Sequence, residues 1–99
     1  MIKVSGKLQV GIEQDGVLQT DFTLRQATIG DAIAAIEKAG PNPSNLRLRF
    51  FKAAEQIEFI GSFSEISGEL LLSLSELDIE PILDAQDDLE KKLMGLKKP

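Results

Sequence analysis

Hydrophobic residues fall at even positions through the first quarter of the chain: Ile2, Val4, Leu8, Val10 and Ile12, then Leu18, Phe22 and Leu24 with Thr20 between them. A period of two marks half-buried strands, and Gln14-Asp15-Gly16 between the two runs marks a turn. A two-residue loop at Asp15-Gly16 would set Ile12 opposite Gln19 and mix apolar with polar side chains on one face. A three-residue loop from Gln14 to Gly16 pairs Ile12 with Leu18, Val10 with Thr20 and Leu8 with Phe22, keeping one face apolar. The pattern therefore predicts the second register, a type I turn with a G1 bulge in which Gly16 takes the left-handed conformation. A lone hairpin is marginal in water, so helices are expected to cover that face.

From Thr28 the period changes. Ile29, Ala32, Ile33 and Ile36 follow helical spacing and are expected to form one buried stripe. Thr28 with Asp31 resembles a capping box, and Gly40 followed by Pro41 ends the helix. Gly40-Pro41-Asn42-Pro43-Ser44 is a stiff turn, too short for a domain boundary. A second helix is predicted over 45–60, with Leu46, Phe50, Ala53, Ile57 and Ile60 as its apolar stripe, Phe51 and Ala54 widening it and Gly61 ending it. The alternation Leu46-Arg47-Leu48-Arg49-Phe50 also allows a strand. In the last third, Ser67 can cap a short helix over Glu69 to Leu72, and Ser73 with Glu76 forms another possible capping box. Pro81 is tolerated in the first turn of a helix whose cap is Asp78, which places the boundary there, with one kinked helix as the alternative. Ile79, Ile82, Leu83, Leu89 and Leu93 then line one side of the final helix. The whole predicts an α+β fold in one domain over 1–99: an N-terminal β-hairpin (1–25) packed against a small bundle of three to four α-helices (28–94).

Composition narrows the chemistry by what it omits. The chain has no His, Cys, Trp or Tyr, which removes the commonest general base, the thiolate nucleophile, Cys/His zinc sites and disulfides. No Ser lies in a nucleophile elbow and no Gly-rich phosphate cradle is present. A non-enzymatic role without cofactors is expected. No apolar run approaches about 18 residues and Met1-Ile2-Lys3-Val4 does not open a signal peptide, so a cytoplasmic location is expected and membrane partners are not. Net charge is −5, and Ala53 to Glu90 holds 11 acids without a Lys or Arg. That field would repel nucleic acid and could attract a basic partner.

Among candidate sites, Asp84, Asp87 and Asp88 lack the alternation and glycine of a calcium loop. Helical spacing pairs Asp87 with Lys91 and Asp88 with Lys92 instead. Arg47, Arg49 and Lys52 beside Phe50 and Phe51 read as a solvated face over core aromatics. Leu70, Leu71, Leu72 and Leu74 differ from both. Successive helical residues step by about 100°, so this run spans more than the single stripe a surface helix buries. With Leu77 and Ile79 it forms the candidate partner-binding or self-association surface.

Thr23-Leu24-Arg25 after the hairpin, the cap Thr28-Ile29-Gly30-Asp31, and Leu72-Ser73-Leu74-Ser75-Glu76-Leu77 before an acidic last helix are similar to the small tail assembly chaperones of long-tailed bacteriophages, the family related to Mu-like tail proteins. The likeness runs from about Lys7 to Leu93. Glu76 stands where such proteins often have Asp in a Leu-x-Leu-x-Asp pattern, and the Pro41–Ser44 linker and Pro81 are not part of the pattern. The resemblance implies a non-enzymatic helper in the host bacterial cytoplasm. Such a helper keeps tape measure protein soluble, recruits tail tube protein and is absent from the mature virion. It also implies a longer frameshifted product, for which Lys97-Lys98 is a possible slippery stretch. The rival expectation is an acidic regulatory or inhibitory module that occupies a basic site on another protein.

Overall fold

The computed structural model describes residues 1–96. Its elements are β1 (Lys3–Gln14), β2 (Val17–Arg25), α1 (Ile29–Ala39), α2 (Asn45–Gln56), β3 (Ile57–Ile60), α3 (Gly68–Leu72), a 3₁₀ turn (Glu76–Asp78) and α4 (Ile79–Gly95). The expected α+β class holds, with four helices packed against an antiparallel sheet of order β1-β2-β3. Residues 57–60, expected to be the end of a helix, form the third strand. Phe22 lies opposite Ile60 and Thr23 opposite Phe59. β-Branched Ile57 and Ile60 gain more on a pleated surface beside β2 than in a fourth helical turn.

The hairpin register also differs from expectation. The loop is the two-residue Asp15-Gly16, so Gln14 faces Val17 and Ile12 faces Gln19 rather than Leu18. Asp15 and Gly16 have φ of 52° and 78°, and two positive φ values make a type I′ turn whose twist matches the strands. The parity conflict is resolved further along. Lys7 faces Asp21 while Ile12 faces Gln19, so β1 carries a wide bulge in which Val10 and Leu8 leave their expected partners. Gly11 sits in it at φ 84°. A Cβ there would collide with the Gln19 carbonyl. Val4 below the bulge and Leu8 within it are buried; above it Val17 and Leu18 at the hairpin tip are exposed.

The main core joins sheet and helices: Val4, Leu8, Phe22 and Leu24 from the hairpin, Phe50, Ala53 and Ala54 from α2, Leu71 from α3, and Ile82, Ala85 and Leu89 from α4. The expected stripe of α4 is correct, with Ile79, Leu83 and Leu93 packed at its margin. A smaller cluster of Ala35, Ala39 and Phe51 seats α1 on α2. Here expectation fails again. Ile29, Ile33 and Ile36 are 82%, 52% and 57% exposed. The rotation of α1 is fixed by Asp31, whose carboxylate takes two hydrogen bonds from Arg25 of β2 (2.7 and 3.1 Å). With Asp31 inward, Ala35 and Ala39 follow it to the α2 side, and the isoleucines face water.

The Thr28 capping box forms as expected: Thr28 Oγ accepts from Asp31 N–H and Asp31 accepts from Thr28 N–H. Arg25 holds the Asp31 carboxyl down at about 2, against the opposing effect of burial and with help from Thr28 N–H. Ser67 caps α3 as expected. The second box does not form, because Ser73 Oγ donates to Leu70 O at the end of α3 and Ser75 accepts from Leu77 N–H. Asp87 pairs with Arg49 of α2 at 2.6 Å. Neither Asp87–Lys91 nor Asp88–Lys92 appears among the ion pairs of the described residues; for Asp87 the cross-helix guanidinium takes the place of a flexible lysine. Lys97 and Lys98 lie outside the described residues.

Candidate functional site

Ser44 accepts a hydrogen bond from Arg47 N–H and starts α2 abruptly after the proline turn. This places Leu46 and Phe50 on the same side, one turn apart. Opposite them, α3 stops after five residues and the chain turns through Leu74 and Ser75 into the 3₁₀ turn and α4. Between the two walls lies an open groove of about 320 Å³. Leu71 and Ile82 form its buried floor, and Leu46 and Leu72, 45% and 46% exposed, stand on its rims. Leu74 and Ile79 complete the apolar lining.

Of the six residues singled out from sequence, the structure brings Leu71, Leu72, Leu74 and Ile79 together in this groove. Leu70 is half-buried outside it, and Leu77 projects into solvent beside it. Leu46 and Phe50, the facing wall, were read as core of a longer helix. The cap residue Ser44 two positions before Leu46 was the available signal, because it puts Leu46 in a first turn with little chain above it.

The polar groups at the groove are mostly engaged in hydrogen bonds within the fold. Arg47 Nε donates to Ala39 O at 2.9 Å, and its guanidinium lies 4.7 Å from the centre of the Phe51 ring. Asp78, 1% exposed, accepts from the backbone N–H groups of Gln9, Val10 and Gly11 at 2.7, 2.9 and 2.9 Å. It was expected to cap α4; it stands at that position, but its side chain makes no cap bond. Instead it fills the β1 bulge and fixes the 3₁₀ turn, and with it one groove wall, to the sheet. No nucleophile is paired with a base here. The arrangement can bury apolar surface of another molecule.

Behind the groove a second polar set ties α2 to α4. Gln86 Nε2 donates to Gln56 Oε1 (3.1 Å), Gln56 Nε2 to Arg25 O (3.1 Å), and Arg49 Nε to Gln86 Oε1 (3.0 Å). No buried side-chain nitrogen or oxygen among the described residues lacks a partner, so this network is structural, with no group left over for a ligand. No described helix is long and apolar enough to cross a membrane. No protein-family model, curated protein or solved structure matches the chain.

Proposed function

We propose that this chain is a non-enzymatic tail assembly chaperone of a long-tailed phage. It acts in the host bacterial cytoplasm, binds tape measure protein, tail tube protein or both, and leaves before the virion is complete. The observation that carries the reading is the open groove in which Leu71, Leu72, Leu74 and Ile79, from the acidic stretch Ala53–Glu90, face Leu46 and Phe50. An apolar groove between helices takes the apolar stripe of a partner helix. The acids of that stretch keep such a complex dispersed. The resemblance at Thr23–Arg25, Thr28–Asp31 and Leu72–Leu77 supplies the identity of the client.

Co-expression with tape measure protein tests the reading. Wild-type chain should raise the soluble fraction of the client several-fold. Leu72→Glu and Leu46→Glu, on exposed rim positions, should abolish that gain while leaving the thermal melt unchanged. Leu71→Glu is uninformative, because a buried charge unfolds the domain. Client solubility that is the same with and without the chain would end the proposal.

A further inference from the structure

The outer face of α1 is a second apolar surface, separate from the groove. Ile29, Ile33 and Ile36 occupy successive turns and leave on the order of 300 Å² of aliphatic surface in water, comparable to the largest patch of a typical monomer. Ile36 also borders a furrow of about 230 Å³ between α1 and α2, floored by Ala32, Ala35 and Leu48 and edged by Asn45, Arg49 and Lys52. At the other end of the stripe Ile29 projects further into solvent than any other large hydrophobic side chain among the described residues. The stripe thus has a knob at one end, and beside it a furrow that runs from Ala32 past Ile33 to Ile36.

We propose that this face is covered by a second copy of the chain. Two α1 helices pair antiparallel about a two-fold axis near Ile33, and Ile29 of each copy enters the furrow beside the partner's Ile36. A two-fold contact requires a patch complementary to itself, and a knob before Ile33 with a furrow that extends past it to Ile36 meets that condition. Charge selects the same arrangement. Glu37 is the one exposed acid of α1. Antiparallel pairing sets it beside the partner's α1 N-terminus, where the helix dipole favours an anion. Parallel pairing would set acid against acid and leave both furrows unfilled. The stripe alone falls short of the roughly 800 Å² per partner of a standing complex. With the furrows filled the seam belongs to the weak, reversible class, so the dimer depends on concentration.

The chain has no cysteine, which allows a direct test on the intact protein. In sedimentation equilibrium over on the order of 10–500 µM, the wild-type mass should climb from 10.8 kDa toward twice that value. Ile33→Lys should remain monomeric throughout, with an unchanged melt. Under mild oxidation Ile33→Cys should form a disulfide dimer at least about tenfold faster than Leu77→Cys, whose site is exposed but off the stripe. Wild type that stays monomeric, dimerisation that survives Ile33→Lys in folded protein, or equal cross-linking of the two cysteine variants would each overturn the seam. So would a monomeric chain whose stripe is protected only when tape measure protein is co-expressed. If Ile33→Lys fails to fold, the two cysteine variants decide alone.

Discussion

A carboxylate surrounded by three backbone amides has no good substitute. At Asp78 the amides of Gln9, Val10 and Gly11 converge on one side chain, and each hydrogen bond to a charged acceptor is worth more than a neutral one. Asp78→Asn keeps the shape but turns one acceptor oxygen into a donor facing donors. It should lower unfolding free energy by about 2–4 kcal/mol in urea titrations, and Asp78→Ala by at least as much. A loss below about 0.5 kcal/mol would mean that solvent satisfies the bulge equally well. The aspartate was legible as a helix start because caps are local, written within four residues of sequence. Its true partners are not local. Gly11 was a clue, one of two isolated glycines in the β1 pattern, of the kind that marks a bulge, but nothing in the sequence indicates which distant acid fills it.

At the scale of the element, helix periodicity reports that a helix has an apolar face and is silent on where that face points. In α1 the isoleucines carry the larger hydrophobicity, yet Ala35 and Ala39 face Phe51. Small residues at Ala32, Ala35 and Ala39 let two helices approach closely, and that spacing was visible beside the isoleucines. The orientation makes an unequal prediction for similar substitutions. Ile82→Ala, in the core of α4, should cost about 2–5 kcal/mol. Ile33→Ser on α1, measured in dilute protein, should change stability by no more than about 0.5 kcal/mol. Equal costs in chemical denaturation would place Ile33 in the core. The groove was legible in part for a related reason. A leucine run too wide for one stripe signals surplus apolar surface, and four of its six proposed residues do line the groove. The facing wall belonged to a helix whose end was misplaced, because Ile57 and Ile60 fit either period.

Across the whole molecule, Arg25 joins the sheet to both early helices. It grips Asp31 of α1, and its NH2 also donates to Glu55 O of α2 at 2.7 Å. Asp31 is held at about 2 against an ordinary 3.8. The folded state therefore binds this proton more weakly than the unfolded chain. The resulting stabilisation is complete above the unfolded value and drains away as pH falls through about 4 toward 2. After allowance for screening by water it is worth about 1–2 kcal/mol. Urea midpoints of wild type and Asp31→Asn should differ by a constant amount from neutrality down to about pH 5, then converge by about pH 2. Parallel curves across that interval would refute the coupling. The fold class was readable because alternation, caps and breakers are written locally, whereas the third strand and the rotation of α1 depend on partners far along the chain. The Asp78 pin carries that dependence into synthesis. The amides of β1 leave the ribosome 67 to 69 residues before their acceptor. Until the last helix emerges, the bulged edge strand has raw donors and no guard against pairing with a neighbour. A polypeptide cut short before residue 78 would carry those donors uncovered and be sticky and easily degraded.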